Sequence, residues 1–572
     1  MRCLRTPLAL LALAALLAGA VTGVTGDTAG GAGAAGGYSI EASASASPAA
    51  ASSPAASAAP APTAAPATTA APATPPLATA APAATAAPAT PPPAEIPVVP
   101  VVDFRSTETA VDRTEVAATL DGRSGRHSAL ELVAADADAI LVALGVAQPV
   151  ETDRLILAVD AETLVRDLAA HRDRLAFVRA TEVTAAARAL AWGGRQLFGV
   201  DRVRTLADWP LTARLDPELA PDADPELAPD AVPFDPGSTW TLVAGGDVFL
   251  DRGIARQVKV LGKGVDFPFD GGSAEITGRY CCSSFGWRLP RTQRTGDAGA
   301  VRHLLESADL AAANFENPAP DRFRYHVHGT VFSADPRLID GLRNAGIDWV
   351  SLANNHIRDA GANGVLQTIA HLDERGIAHS GAGRNTTEAH RPAILDAGGL
   401  EVAFLGYDTI ARSYGAGTAR VGSAQMSEAA VRRDVALARK AGADVVVVYP
   451  HWGVEYTTRT SSLQRRLGRA AIDAGADIVI GNHPHWVGAL EVYQGRPIWY
   501  ALGNFVFDQT WSEPTQEGLL LELTFRGPQL VQAWLHPTII LDQSQPNFLD
   551  PGGDGEIILD QLYQASGKLL PW

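Results

Sequence analysis

Residues 239–572 alternate short apolar runs with amphipathic segments, and this alternation constrains the fold more than any other feature of the sequence. Runs such as TLVAG, DWVSLA, DVVVVY and DIVIG are short and end at Gly or polar residues, as buried strands do. Segments between them, such as GVLQTIAHLDERG and SLQRRLGRAAIDAG, have helical spacing. The pattern predicts an α/β fold with strands between helix layers. The runs GLLLELTF and VQAWLHPTIIL predict antiparallel strands near the C-terminus.

Polar side chains follow five of these apolar runs. They are Asp247; Asn314 and Glu316; Asn354, Asn355, His356 and Asp359; His451 and Glu455; and His483 and His485. Ligands of open α/β sheets bind beyond the carboxyl ends of the strands, so we expect these groups to share one site. Carboxylates, amide oxygens and imidazoles together suit Mn²⁺, Fe²⁺ or Zn²⁺.

A structural interpretation exists for each element alone. A strand-end Asp often caps the next helix, and His451 beside Trp452 could be a packed, hydrogen-bonded histidine. Because polar side chains follow five apolar runs in the same way, a functional cluster explains them better than helix capping does. A metal in that cluster would activate water and clamp a transferring phosphoryl group.

The charge of the chain excludes some partners. With a formal net charge of −17 and a pI near 5.2, it lacks the basic surface that a nucleic-acid partner or anionic lipid requires. We therefore expect no nucleic-acid partner.

The N-terminus predicts export. Arg2 and Arg5 precede the apolar stretch 8–17, and residues 18–20 (AGA) form a small-residue cleavage site, so residues 1–20 are interpreted as a signal peptide. Cleavage is favoured over an uncleaved anchor, because the apolar run is short for a span of about 20 residues. The predicted location is extracytoplasmic, either associated with the cell envelope or secreted.

The rest of the chain divides by composition. Residues 21–99, rich in Ala, Pro, Ser and Thr, predict a disordered tether. Residues 100–215 read as a small α/β accessory domain with a βαβ-like pattern and no ligand constellation. Residues 216–238 contain DPELAPDA twice and predict a linker before the 239–572 domain. The adjacent Cys281 and Cys282 leave open a vicinal disulfide or two packed thiols.

The ordered motifs GD, NFE, NNHxxDxG, HWGxEY, GNHPH and YALGNFVFD resemble the bacterial capsule-synthesis family, the CapA-type proteins associated with poly-γ-glutamate. The resemblance covers 239 to about 545. That family is similar to the calcineurin-like metallophosphoesterases, so the resemblance implies an αββα two-sheet sandwich and a divalent metal site of one or two ions (Mn, Fe or Zn).

The resemblance also implies roles, residue by residue. The metal ligands it implies are Asp247, Glu316 as the bridging carboxylate, Asn355, His451, His483 and His485. The catalytic group is His356, which stabilises phosphate or acts as an acid, with supporting roles for Asp359 and Glu455. Arg252, Asn314 and Asn504 are expected near substrate; for Arg252 a surface ion pair is the alternative. His326 and His328 match no family metal motif and are expected at the surface or rim, where they could contact substrate.

The sequence departs from the metallophosphoesterase pattern at one position, and this departure leaves two hypotheses for the function. Metallophosphoesterases carry Asp-x-His in the first motif, but here Phe249 takes the histidine position, which favours one tightly held ion or a weak second one. The first hypothesis is a metal-dependent, phosphoesterase-like hydrolase in cell-envelope polymer biosynthesis. It would act on an anionic polymer or phosphoester, alongside capsule-synthesis membrane proteins. The alternative is a non-catalytic component that binds or exports capsule polymer on a degenerate fold.

Overall fold

A computed structural model describes residues 94–148, 152–215 and 234–570. The predicted signal peptide, the tether up to residue 93 and both copies of DPELAPDA lie outside the described residues. The described residues belong to one compact unit, Pro91–Trp572.

The first part of this unit is a small α/β layer. Its strands are β1 (Ala94–Asp103), β2 (Ala129–Val133), β3 (Leu155–Ala158), β4 (Arg174–Arg179), β5 (Ala187–Ala189) and β6 (Thr212–Leu215), and its helices are α1 (Arg113–Leu120), α2 (Ala137–Leu144) and α3 (Ala161–Ala170). The sheet order is β3-β2-β4-β1-β5, with β6 also paired to β1. The predicted βαβ pattern corresponds to β3, α3 and β4. Strand β1 begins at Ala94, inside the segment predicted as tether.

The larger part contains the predicted strands and helices. Its strands are β7 (Thr239–Val248), β8 (Ala274–Tyr280), β9 (Leu289–Arg294), β10 (Leu310–Phe315), β11 (Trp349–Ser351), β12 (Ala378–Ser380), β13 (Ala393–Ala397), β14 (Leu400–Asp408), β15 (Val445–His451), β16 (Ile478–Ile480), β17 (Leu490–Tyr493), β18 (Arg496–Trp499), β19 (Asn504–Val506), β20 (Glu517–Arg526), β21 (Gln529–Leu541) and β22 (Gln545–Phe548). Its longer helices are α4 (Ala300–Ser307), α5 (Ile339–Asn344), α6 (Gly361–Arg375), α7 (Glu428–Lys440), α8 (Ser462–Asp473) and α9 (Glu556–Ser566).

Two mixed sheets form the centre of this part. The first runs β12-β11-β10-β7-β20-β21-β22, with β19 also parallel to β7, and the second runs β13-β14-β15-β16-β18-β17. Strands β7, β10, β11 and β12 are parallel, as are β14, β15, β16 and β18. The C-terminal strands β20, β21 and β22 are antiparallel, as the sequence predicted.

Alternation along the strands builds four layers. On β7, Trp240, Leu242 and Ala244 pack into the core between the two sheets, whereas Val243 faces the cluster that holds α4, α5 and α6. On β15, Val447 faces the inter-sheet core and Val448 faces the cluster of α7 and α8. The helix–sheet–sheet–helix order confirms the predicted two-sheet sandwich.

The N-terminal layer packs on strands β20 and β21 of the first sheet. Gln532 on β21 accepts a hydrogen bond from the backbone N–H of Ala189, and Thr524 on β20 accepts one from Gly199. Val531 joins the hydrophobic cluster of the N-terminal layer. The two parts therefore share a polar and apolar contact surface.

Strands β8 and β9 form a separate hairpin, and its tip carries the two adjacent cysteines. Cys281 and Cys282 are joined in a vicinal disulfide, one of the two states that the sequence left open. Within the described ranges, no helix has both the length and the apolar character needed to cross a membrane.

Candidate metal centre

The polar residues predicted at the strand ends come together at one edge of the sandwich. In the first sheet, Asp247 on β7 lies in register with Asn314 on β10 and with Asn504 on β19. In the second sheet, His451 ends β15, and the loop after β16 carries His483 and His485. Both sheets direct parallel strand ends to this edge, as the sequence predicted.

Asp247 is the most highly connected carboxylate of the cluster. It is fully buried and accepts hydrogen bonds from Nδ2 of Asn314 at 2.7 Å and from the backbone N–H of His483 at 3.2 Å. Nδ1 of His485 lies 3.4 Å from Oδ2 of Asp247, the oxygen that accepts from His483. Burial raises the pKa of Asp247, but the hydrogen bond with His485 and the nearby His451 outweigh burial and lower it. This group therefore stays a carboxylate, the form that binds metal.

Glu316 follows β10 and is buried, and no hydrogen bond from a described residue offsets the cost of burying its carboxylate. Its Oε1 lies 3.4 Å from Nε2 of His451 and 3.9 Å from Nε2 of His485. Neither carboxylate oxygen has a hydrogen-bond partner among the described residues. Burial, and then repulsion from Asp247 and Glu455, raises the pKa of Glu316 well above its usual value. A buried carboxylate in this setting is stabilised by binding a cation.

His451 and His483 are neutral imidazoles in this setting. Their side chains contact each other through Nε2 of His451 and Nδ1 of His483 at 3.1 Å, and Nε2 of His451 also lies 2.7 Å from Oδ1 of Asn355. Burial lowers the pKa of His451 to about 3, and burial together with His451 lowers the pKa of His483 well below its usual value. A neutral imidazole is the form that binds a metal.

His485 differs from its neighbours because it faces Asp247. Burial lowers the pKa of His485, but the hydrogen bond and charge of Asp247 outweigh burial and raise it. Its Nδ1 lies 2.8 Å from Oδ1 of Asn504, which fixes the orientation of the ring.

These side chains form two overlapping groups of potential metal ligands. Glu316, His451 and His483 make one group, and Asp247, Glu316 and His485 make the other; in each, the ligand atoms lie within 4.8 Å of one another. Both groups share Glu316, the position that the resemblance gives to the bridging carboxylate. The donor set and the orphaned oxygens of Glu316 fit a divalent transition metal, with Asn355 beside His451.

The backbone at the centre is held in an uncommon conformation. Positive φ values, which residues other than Gly rarely adopt, occur at His483 (96°), His485 (58°) and Tyr456 (59°). The Asp247 carboxylate accepts from His483 N–H, and Tyr456 N–H donates to the Pro484 carbonyl. Such strain concentrates at functional sites.

His356 forms a separate dyad beside the ligand groups. Its Nδ1 lies 2.8 Å from Oδ2 of Asp359, and the Tyr414 hydroxyl donates to the other oxygen of Asp359 at 3.0 Å. The ring of Phe332 packs on His356 with centroids 4.0 Å apart. Sequence reasoning identified His356 and Asp359 but missed Tyr414 and Phe332, which no motif marked.

The three residues predicted near substrate are engaged by protein groups. Asn314 is buried between Asp247 and His451, and Asn504 is buried between His485 and the Thr515 carbonyl. Arg252 makes a bidentate ion pair with Asp508, and its guanidinium also donates to the carbonyl of Gly329.

Glu455 and the rim histidines lie farther out. Glu455 is half-buried, and its charge raises the pKa of both Glu316 and His485. His326 contacts the buried Asp251 through Nε2 at 2.8 Å, and its Nδ1 lies 2.9 Å from the carbonyl of His328. The contact between His326 and Asp251 had no sequence signal.

Phe249 lies where the resemblance to the metallophosphoesterases leads us to expect a ligand histidine. It stacks on Phe507 with centroids 4.6 Å apart and meets Phe332 edge-on at 4.7 Å. The guanidinium of Arg252 lies 4.7 Å from the ring. An aromatic cluster therefore replaces one imidazole donor.

The sequence matches known proteins over this same region. The family described as "Bacterial capsule synthesis protein PGA_cap" matches residues 241–509. The capsule biosynthesis protein CapA of Bacillus anthracis is 34% identical over 293 residues, covering 49% of this chain and 70% of that protein. This chain belongs to the bacterial capsule synthesis protein family.

The chain also matches other known proteins. The PGA biosynthesis protein CapA of Bacillus subtilis is 31% identical over 226 residues, covering 38% of this chain and 59% of that protein. Among solved structures, the calcineurin-like phosphoesterase YfkN of Bacillus subtilis is 12% identical, with 57% of this chain and 96% of that chain covered and a TM-score of 0.30.

Proposed function

We propose that this capsule synthesis family member is an exported, metal-dependent hydrolase of the phosphoesterase type that acts in cell-envelope polymer biosynthesis. Its substrate is an anionic polymer, such as poly-γ-glutamate, or a phosphoester. Its working partners are capsule-synthesis membrane proteins. One observation carries the proposal: Glu316 is buried, belongs to both groups of ligand side chains, and has no hydrogen-bond partner for either oxygen among the described residues.

The contacts of each residue indicate its role in the proposed site. Asp247, Glu316, His451, His483 and His485 would hold the metal, and Asn314 and Asn504 orient two of those ligands. A divalent metal supplies a Lewis acid that lowers the pKa of water and offsets charge on a phosphoryl or carbonyl oxygen.

In this proposal, His356 supplies a proton or a hydrogen bond to the leaving-group oxygen. Asp359 contacts Nδ1 of this imidazole, which leaves Nε2 as the nitrogen free of that dyad. In this proposal Nε2 of His356 donates to the leaving-group oxygen as charge develops there, a contribution of typically 10²–10⁴-fold in rate. Tyr414 and Phe332 hold the dyad in place.

The test uses the purified full chain. Metal content per chain is measured first, and then turnover of bis(p-nitrophenyl) phosphate and of poly-γ-glutamate, with His356→Ala and the matched control His303→Ala. His303 is exposed and lies 3.5 Å from Asp201. We expect His356→Ala to retain metal and lose turnover, and His303→Ala to keep both. Absence of metal after reconstitution would refute the proposal.

A second candidate function is favoured by Phe249. The aromatic cluster at this position removes an imidazole donor, which supports a polymer-binding or export component that keeps a metal for structure. Bound metal with no turnover of either substrate, in the same experiment, would favour this second function.

A further inference from the structure

Arg188 on β5 is a buried cation, far along the chain from the metal ligands. It is 4% exposed, and its Nε is buried without a hydrogen-bond partner among the described residues. Its guanidinium carbon lies 4.9 Å from the centre of the ring of Trp534 on β21. Burying an uncompensated guanidinium is strongly unfavourable, so an anion is expected nearby.

The two carboxylates whose charges act on Arg188, Asp103 and Glu522, are engaged by other groups. Asp103 makes a bidentate ion pair with Arg105 and lies 3.4 Å from Nε of Arg172. Glu522 contacts Nε2 of His536 at 2.7 Å and accepts the N–H of Val200 at 2.7 Å.

The charges around Arg188 are therefore unbalanced. Three arginines, Arg105, Arg172 and Arg188, share this region with two carboxylates, Asp103 and Glu522, and the second of these already faces His536. The region carries excess positive charge where the N-terminal layer packs on β20 and β21.

Two further polar groups in the same region are orphaned. The hydroxyl of Tyr563 on α9 and Nε1 of Trp534 are both buried without a hydrogen-bond partner among the described residues. Arg188 pairs with Val102 across β5 and β1, and the ring of Tyr563 packs edge-on against Phe104, two residues further along the chain, with ring centroids 6.1 Å apart. Arginine, phenol and indole are all hydrogen-bond donors.

We propose that Arg188, Tyr563 and Trp534 form a second binding site, for one small oxyanion, at the junction between the N-terminal layer and the sandwich. A carboxylate or a phosphate presents acceptors that match the planar fork of Arg188. The burial of Arg188 restricts the occupant to a small anion rather than a polymer segment. The bound anion links β5 to β21 and α9, and so fastens the two parts of the molecule.

The experiment measures anion binding by the metal-free full chain at constant ionic strength, with chloride as the balancing ion. Inorganic phosphate and acetate are titrated separately by calorimetry, which distinguishes the two sources of oxyanion. Arg188→Met removes the charge while keeping the length of the side chain. Arg432→Met is the matched control, because Arg432 is exposed and pairs with Glu428 on its own helix. Tyr563→Phe removes one hydroxyl alone.

We expect the wild-type chain to bind one more equivalent of phosphate or acetate than Arg188→Met, and Arg432→Met to match the wild type. Tyr563→Phe should weaken that equivalent by about tenfold, the loss of one hydrogen bond to a charged group. If Arg188→Met does not fold, Tyr563→Phe carries the test. Equal binding of both anions by the wild type and the Arg188 variant, or no effect of Tyr563→Phe, would overturn the proposal.

Discussion

Oε1 of Glu316 lies 3.4 Å from Nε2 of His451, yet neither oxygen of Glu316 has a hydrogen-bond partner among the described residues. His451 is neutral because burial lowers its pKa to about 3, so it does not neutralise the carboxylate. A buried carboxylate beside neutral imidazoles is unfavourable in the folded protein, and a bound cation removes that penalty.

Glu316→Gln tests this relationship through stability. The amide has nearly the same shape without the charge, so at pH 8 the metal-free variant should be more stable than the metal-free wild type by roughly 1–3 kcal/mol. The raised pKa of Glu316 means that the wild type loses stability as pH rises above the usual glutamate range, and the variant lacks this loss. Urea unfolding with chelator present measures both effects. A metal-free variant that is less stable than the metal-free wild type at pH 8 would contradict this interpretation.

Glu517 predicts a second pH dependence, away from the ligand groups. Burial, and then repulsion from Glu513, raises its pKa from 4.5 to about 8. The folded state then holds a proton that the unfolded state releases, so this contribution to stability is complete below pH 4.5 and is lost as pH rises through 8.

Glu517→Gln should remove this dependence and be more stable than wild type at pH 9 by a few kcal/mol, since each pKa unit corresponds to about 1.4 kcal/mol. Urea unfolding at pH 5, 7 and 9 measures the difference. Glu401→Gln is the control, because Glu401 is an exposed strand residue. Parallel pH profiles for wild type and Glu517→Gln would show that Glu517 is not the cause.

Asn504→Ala should weaken metal binding without removing a proposed ligand. Oδ1 of Asn504 orients His485, and loss of such an orienting partner typically lowers metal affinity 10–100-fold. Competition against a chromogenic chelator measures the affinity, and Asn363→Ala at an exposed position of α6 is the control. Unchanged affinity in Asn504→Ala would mean that His485 is not a ligand.

Asp359→Asn separates the His356 dyad from the ligand groups. We expect metal content to stay unchanged and kcat to fall about 10²–10⁴-fold, because Asp359 holds Nδ1 of His356. Asp373→Asn is the matched control, since Asp373 contacts His379 in an Asp–His pair on another part of the surface. A parallel loss of metal in Asp359→Asn would assign Asp359 to the metal centre instead.

The fold and the ligand cluster could be predicted because each depends on local pattern. Apolar runs followed by Asp247, His451 or His483 mark strand ends, and parallel strand ends share an edge. The packing of the N-terminal layer on β20 and β21 could not be predicted. It depends on single contacts between residues more than 300 positions apart, such as Ala189 with Gln532.

The roles of several site residues were also beyond sequence reasoning. Asn314 and Asn504 were expected near substrate, but their hydrogen bonds to Asp247 and His485 are visible only in three dimensions. Tyr414 belongs to no motif, and its contact with Asp359 depends on how a loop between β14 and α7 crosses the site. The strained φ values of His483 and His485 are likewise set by packing and hydrogen bonding.

Metal content per chain tests the central claim most directly. The full chain, reconstituted with Mn²⁺, Fe²⁺ or Zn²⁺ and then desalted, is analysed by inductively coupled plasma mass spectrometry beside His483→Ala and the control His303→Ala. We predict at least one equivalent of metal in the wild type and in His303→Ala, and less than about a tenth of that in His483→Ala. A wild-type chain that retains no metal under any of these conditions would contradict the account.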